Sequence, residues 1–483
     1  MGTDDEVEVN RELAILENVS TGTRPWLEPA ELRRRGKNRR LRRRGGVIGA
    51  ALVVVVLLAT LIPIGLGGRT NRNSNLHVAA TSGPAVELVS DTGPAGPVSA
   101  SPSSNAVARS EQQFSLSLLK QISASSSGSS NIMVSPLSLA TALAMLELGA
   151  KGSTETQIAH TLGTNELTAE QQAAGWSALS AELAQASASA GIAMQSANSL
   201  WLQKGLDMDP SFMSDLSRYF ASGVWQVDFA SDPSAAVAAL NTWVARETHG
   251  HISSLFAPGA ITNQTALVLA NAVYFKAAWQ QPFTAATFDG TFHLPAGTTA
   301  SVPFMHTPPG SPLDVPVSTA SRLDAVQLPY VSGRMAALVI MPTSGPLSNL
   351  TSSLTPTGLD QIVSGMKPAS LDLAMPTLSL SDSHELIPTL QNLGMRDAFV
   401  SSNADLSGLS PTPLYVTDVV QKATLDVTPW GTEATAATGI AVGTSARPAS
   451  IALTIDHPFL FLIRDTHTGA ILFEAQVDNP ATG

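Results

Sequence analysis

The order in which two hydrophobic periods follow one another constrains this chain more than any other feature. Helical spacing comes first. Gln112–Ile122 repeats Phe114, Leu116, Leu118, Leu119 and Ile122 at helical intervals. Pro136 opens a stronger helix, with Ser135 at its N-cap and Leu137, Leu139, Leu143, Leu146 and Leu148 as its apolar set; Gly149 and Gly152 end it. Further helical patterns cover residues 154–162, 168–187, 210–219 and 233–249. Strand patterns dominate later: 192–202 (IAMQSANSLWL), 265–276 (TALVLANAVYFK), 325–329, 335–341, 370–376, 414–428 and 451–463. Helices first and long strands later predict an α+β fold with antiparallel or mixed sheets, not a doubly wound one.

Composition removes several function classes. With no cysteine among 483 residues, disulfides, thiol catalysis and cysteine-held metals are excluded. A net charge of -11 argues against a nucleic-acid partner. His249 and His251 flank a glycine without a third ligand nearby, so no metal is expected. GAKGST (149–154) lacks the residue order of a phosphate-binding loop, and no G-x-S-x-G elbow supports a hydrolase. Asn263 and Asn349 lie in N-x-T sequons, which matter only in a glycosylating host. No cofactor and no catalytic residue are expected.

The N-terminus reads separately. Val47–Leu66 carries no charge, and at about 1.5 Å per residue it spans roughly 30 Å, one bilayer core. Nine Lys or Arg lie between Arg33 and Arg44; only Arg69 and Arg72 follow closely. The expectation is a single-pass transmembrane helix over 47–66 in a cell membrane, with a cytoplasmic, largely disordered basic tail over 1–46 and everything beyond outside the cell. A cleaved signal peptide, with His77–Ala80 as a cleavage stretch, fits less well, because its apolar core spans about 7–15 residues behind a short basic start. Residues 67–107 are rich in Ser, Thr, Pro, Gly and Ala and read as a flexible linker before a folded domain over 108–483. The abundance of small residues reads as bacterial.

Nine segments resemble the serpin family, in its order and spacing. They are NIMVSPLSLATALAMLELGAKGSTETQI (131–158), NTWVARETHGHI (241–252), LVLANAVYFKAAWQQPF (267–283), VPFM (302–305), LPY (328–330), LQNLGM (390–395), ADLSGLS (404–410), GTEATAAT (431–438) and DHPFLFLIRDTHTGAILFEAQVDNP (456–480). The resemblance implies about nine helices, three β-sheets and an exposed reactive-centre loop. It also implies a suicide inhibitor of serine proteases rather than an enzyme. The protease cuts the loop and is held as an acyl-enzyme while the freed arm enters the main sheet as a new strand. The partner is then a serine protease, and the inhibitor a monomer.

The residues of that loop suit such a change. Read from Gly431, one alternate set is Thr432, Ala434, Ala436, Thr438, Ile440 and Val442; the other begins at Glu433 and includes Thr435 and Ala437. Period two puts the uncharged set on one sheet face and leaves Glu433 on the other. No proline interrupts 432–446, so every amide can join a ladder. About 14 residues at roughly 3.3 Å each give on the order of 45 Å of reach. About a dozen new hydrogen bonds would contribute on the order of 10 kcal/mol. The family's hinge length places the scissile bond at Ser445–Ala446, with Thr444–Ser445 and Ala446–Arg447 as alternatives. Pro448 argues against cleavage after Arg447, so an elastase-like or subtilisin-like target is expected. Ser135, Ser138, Asn241, Asn271 and Gln421 align with the polar network beneath the family's main sheet. One departure stands out: Pro429 and Trp430 precede the hinge glycine, where the family usually has an acidic residue. A non-inhibitory serpin acting as a binding or carrier module is the alternative.

Overall fold

The computed structural model describes residues 76–82, 84–90, 102–126, 131–188, 192–319, 322–432 and 450–482. Among them are nine α-helices: α1 (Pro102–Ser125), α2 (Pro136–Glu147), α3 (Gly152–Leu162), α4 (Ala169–Ala188), α5 (Pro210–Phe220), α6 (Pro233–Glu247), α7 (Leu347–Ser353), α8 (Pro356–Gly365) and α9 (Ile387–Asn392). The strands are β1 (Leu76–Ser82), β2 (Ala85–Ser90), β3 (Ile132–Val134), β4 (Ala193–Gln203), β5 (Val224–Val227), β6 (Leu267–Ala278), β7 (Phe288–His293), β8 (Thr299–His306) and β9 (Leu313–Thr319). They continue with β10 (Leu323–Pro329), β11 (Met335–Pro342), β12 (Lys367–Pro376), β13 (Leu378–Glu385), β14 (Val416–Thr428), β15 (Gly431–Thr432), β16 (Ile451–Thr454), β17 (Phe459–Asp465) and β18 (Ile471–Val477). Six of the helices, α1, α2, α5, α6, α8 and α9, have a proline in their first turn. In α5 and α6 the cap is an aspartate: Asp209 accepts from the amides of Ser211 and Phe212, and Asp232 from that of Ala235.

Two sheets result. The first has eight strands in the order β1-β2-β5-β4-β6-β15-β14-β13. The second has ten and runs β3-β18-β17-β11-β10-β9-β12-β8-β7, with β16 beside β12. The expected second and third sheets are therefore joined. Ten-residue β12 is long enough to pair β9 through Lys367–Leu371 and β8 through Ala374–Pro376. One core lies between the sheets and under α1 and α2, where Phe114, Leu143, Phe275 and Phe473 are buried. A smaller one covers the opposite face of the eight-stranded sheet. There Trp201 stacks on Trp225 at 5.0 Å and meets Trp243 of α6 edge-on.

The expected linker over 67–107 needs correction. Its residues 85–90 form a sheet strand: Val86, Glu87 and Leu88 pair antiparallel with Gln226, Trp225 and Val224, and β1 pairs β2 outside them. Helix α1 likewise starts at Pro102 rather than 108. Small polar residues suggested a floppy stalk, yet Ala85–Ser90 supplies a short pleated strand and β5 offers an open edge. Gly223 permits the contact, since a Cβ there would lie 2.4 Å from the Leu88 carbonyl oxygen. The 451–463 run also divides, at Ile455–Pro458, into β16 and β17, which join the second sheet at different places. Among the described residues no helix is long and apolar enough to cross a membrane; Val47–Leu66 and the basic tail lie outside them.

Candidate functional site

The functional geometry lies along the seam between β6 and β14. These strands pair directly and in parallel from Leu267↔Val416 to Tyr274↔Thr424. Beyond that point another strand comes between them. Gly431 and Thr432 turn back and pair antiparallel with both neighbours: Thr432 opposes Val427 on one side and Ala277 on the other, and Gly431 opposes Thr428 and Ala278. The first two hinge residues already occupy the sheet.

The turn that delivers them is specified residue by residue. Gly431 has φ of +146°, and a Cβ there would sit 2.1 Å from the Ala277 carbonyl oxygen, so only glycine fits. Thr428 Oγ1 donates to the Gly431 carbonyl and accepts from the Trp430 amide. The Pro429 carbonyl accepts from the Phe283 amide at 2.9 Å, and the Trp430 carbonyl from the Trp279 amide at 3.0 Å. Pro429 therefore occupies a turn position between β14 and β15, where the missing N–H interrupts neither strand.

An aromatic cradle encloses the seated end. Tyr330 stacks on Trp279 with centroids 4.6 Å apart and meets Phe275 edge-on at 5.2 Å. Trp279 Nε1 donates to the Thr428 carbonyl at 2.9 Å. The Tyr330 hydroxyl bonds Thr432 Oγ1 at 2.8 Å, and both residues have no exposed surface. Burial raises the Tyr330 phenol far above its ordinary pKa, against a smaller opposing pull from Thr432, so it stays neutral.

Lower on the seam lies the polar network. Gln421 accepts from the Ser135 amide through Oε1. Its Nε2 donates to the Ser135 carbonyl at 2.8 Å and to Asn271 Oδ1 at 2.6 Å. Asn271 Nδ2 donates to Ser138 Oγ at 2.6 Å and to Asn198 Oδ1. Ser138 Oγ also reaches Asn198 Oδ1 and Ser196 Oγ, at 2.9 Å and 2.7 Å. Side chains from α2, β4, β6 and β14 thus meet in one hydrogen-bonded set, and three of them, Ser138, Asn271 and Gln421, are buried.

Of the residues expected in the network, Ser135 (through its backbone), Ser138, Asn271 and Gln421 are brought together, and two points differ. Asn241 does not join it. Its Oδ1 accepts from the Leu255 and Phe256 amides and its Nδ2 donates to the Phe256 carbonyl, so it fastens the loop after α6. Ser135 occupies the N-cap position of α2 without capping it; its hydroxyl donates instead to the Leu472 carbonyl at 2.6 Å. Ser196 and Asn198 were not anticipated. The signal for Asn198 is cross-strand register, since it sits directly opposite Asn271 in the β4–β6 pair. Tyr330 and Trp279 stood in recognised segments without an assigned role. Of the hinge residues, Gly431 and Thr432 are described; Glu433, Ala434, Thr435, Ala436, Ala437 and Thr438 lie outside the described residues, as do Thr444, Ser445, Ala446 and Arg447. His251 stacks on Tyr274 at 3.8 Å, and no group of three or more potential metal ligands occurs among the described residues.

Known proteins are similar to this chain in sequence and fold. The family model described as "Serpin (serine protease inhibitor)" matches residues 109–480. Leukocyte elastase inhibitor A of Mus musculus is 32% identical over 377 residues, which cover 76% of this chain and 97% of that protein. The native-state crystal structure of the thermophilic serpin tengpin superposes with a TM-score of 0.72 at 24% identity, covering 80% of this chain and 97% of that one. Thyroxine-binding globulin complexed with thyroxine gives 0.68 at 27% identity, covering 77% and 99%. The matched residues take in the seam, the cradle and the network together, and the chain belongs to the serpin family of serine protease inhibitors.

Proposed function

We propose that this protein inhibits an elastase-like or subtilisin-like serine protease by loop cleavage, acyl-enzyme trapping and strand insertion between β6 and β14. One observation carries the proposal: β15 already pairs in register with both strands of the seam, and the sequence of the arm suits that register if it is extended. Thr432 opposes Ala277 and Val427. Each two-residue step along the arm moves two residues back along both neighbours. On insertion Ala434 would fall between Phe275 and Leu425, Ala436 between Val273 and Ala423, Thr438 between Asn271 and Gln421, and Ile440 between Leu269 and Val419. Ala434 would meet two bulky side chains, Ala436 a valine and an alanine, the Thr438 hydroxyl the two amides, and Ile440 a leucine and a valine. Thr438 supplies a hydroxyl where separation of the strands breaks the Asn271–Gln421 bond. The set containing Glu433 would face the other way.

The scissile bond is Ser445–Ala446, with Thr444–Ser445 and Ala446–Arg447 as neighbouring choices; small side chains there suit elastase-like or subtilisin-like pockets. Leukocyte elastase inhibitor A agrees with that target class by its name. The protein acts as a monomer of bacterial type, anchored through Val47–Leu66 with its N-terminus in the cytoplasm and the serpin domain outside. The uncharged run and the nine preceding basic residues support that topology.

The test mixes the purified full chain with an elastase-type protease and with subtilisin, then applies denaturing gels and mass spectrometry. A covalent adduct with the chain cut near Ser445 is expected. Clean cleavage with the protease still active overturns inhibition and leaves the carrier alternative, which thyroxine-binding globulin exemplifies on this fold.

A further inference from the structure

We infer that Tyr330 is a positioning residue for the insertion step: its hydroxyl holds Thr432 at the head of the seam, so the cleaved arm enters from a seated end. This deepens the inhibitor reading and rests on it. Zipping a strand between two others is slow to begin and quick to continue. The first contact must close a loop and fix a register; each later residue only extends what exists. In this chain the first two residues are already in register on both sides. Backbone pairing alone would leave so short a strand free to fray. The polar side-chain contact that secures its leading residue is the one between the Tyr330 and Thr432 hydroxyls.

Tyr330 suits the task for three reasons. Its ring is clamped between Trp279 and Phe275, so its hydroxyl is fixed in direction. Its backbone is anchored as well. The Tyr330 amide donates to the Met335 carbonyl, and the next residue's amide donates to Ala278 of β6, the residue opposite Gly431. The hydroxyl is also fully buried. With no water to compete, loss of Thr432 would strand a buried polar group, so the pair favours the seated hinge. Thr432 is β-branched, and few rotamers are open to its own hydroxyl.

The experiment compares the full-length wild type with Tyr330→Phe, Thr432→Val, Thr432→Ser and the double variant Tyr330→Phe/Thr432→Val. Phenylalanine keeps the stack and valine keeps the shape, and melting curves verify folding. Hydrogen exchange at the Trp430–Thr432 amides is read in uncleaved protein without protease. About five-fold faster exchange is expected in Tyr330→Phe and in Thr432→Val, the equivalent of one ordinary hydrogen bond. Thr432→Ser should match wild type, and the double variant should exchange no faster than either single one. The ratio of covalent adduct to cleaved, free inhibitor should fall by a similar factor at an unchanged rate of loop attack. A general loss of structure would not produce that split. Unchanged exchange in both single variants, or additive effects in the double, overturns the inference. Faster exchange with an unaltered adduct ratio also overturns it, because seating would then not guide insertion. If wild type forms no adduct at all, the inhibitor reading fails, while exchange still decides whether Tyr330 seats Thr432.

Discussion

The two ends of one seam are held by opposite chemistry. At its head, β6 and β14 have separated, and β15 sits between them inside a dry aromatic cradle with one hydroxyl pair at its centre. Toward its middle the same strands pair directly, over an amide and hydroxyl network with several hydrogen bonds per member. An aromatic wall stays intact whether or not a strand lies beside it. A network spanning both strands must break when they part. On the proposed mechanism the head would receive a strand, and the middle would resist one until enough of the arm had entered. The difference would also set the order of events. Insertion would start where no cross-strand side-chain bond has to break, and meet its main resistance six residues later, at Asn271 and Gln421.

The largest expected effect is at the middle. Asn271→Ala removes one acceptor and two donated bonds, leaving Gln421 Nε2 and Ser138 Oγ each short of a partner in a buried place. A loss of about 3–5 kcal/mol is expected, read as a lower thermal or denaturant midpoint. Spontaneous loop insertion or self-association should rise with it. If Asn271→Ala is neutral, the network does not close the seam and the contrast collapses. Next comes Trp279→Phe at the head. It thins the stack on Tyr330 and strands the Thr428 carbonyl. About 2 kcal/mol is expected, but with the opposite signature: faster exchange at the hinge turn and no added self-association.

Much of this was legible in sequence. Long apolar strands and proline-started helices gave themselves away by period, because every second or every third to fourth side chain had to be buried. Ser138, Asn271 and Gln421 were named because they align with the polar residues of the serpin pattern, not because their own spacing singled them out. What stayed hidden depends on register across strands. Asn198 became functional only because β4 places it opposite Asn271, and Tyr330 only because Gly431 turns Thr432 toward it. Asn241 shows the converse. It matched a pattern, but it lies on α6 and its amide is used up by the Leu255–Phe256 backbone. The strand β2 was missed because its composition is that of a linker and its partner β5 lies far along the chain.

Proton titration should leave the contrast untouched while moving overall stability. Neither Tyr330 and Thr432 at the head nor the serines and amides of the network ionise near neutral pH. Elsewhere, burial pushes Glu111 up to about 8, against its bond from the Ile471 amide, and Glu147 also up to about 8, aided by the charge of Glu155. Nearby Glu474 is driven up as well, first by burial and then by Glu111. The folded pKa values stand above the unfolded ones, so the folded chain holds protons that the unfolded chain releases. For Glu111 and Glu147 the stabilisation is complete below about pH 4.5 and is lost as pH rises toward 8, at about 1.4 kcal/mol per unit per group. Melting midpoints should fall over that window, and Glu111→Gln should flatten the slope. Hinge and network exchange should slow or quicken together. A pH-dependent gap between them would mean that a titrating group acts on one end alone.

The smallest effect sharpens the account of the turn. Thr428 Oγ1 donates to the Gly431 carbonyl and accepts from the Trp430 amide, so Thr428→Val removes two bonds within four residues. Gly431 is buried, but Thr428 and Trp430 are only partly so and water can replace the hydroxyl there, which holds the cost to about 1 kcal/mol. Thr428 touches neither Tyr330 nor the network through its side chain. If the turn only delivers the hinge, exchange at Trp430 should quicken while Thr432 stays seated and the adduct ratio holds. If Thr432 loosens as much as it does in Tyr330→Phe, seating is shared between turn and cradle, and the head of the seam is one cooperative unit rather than a latch with a tail.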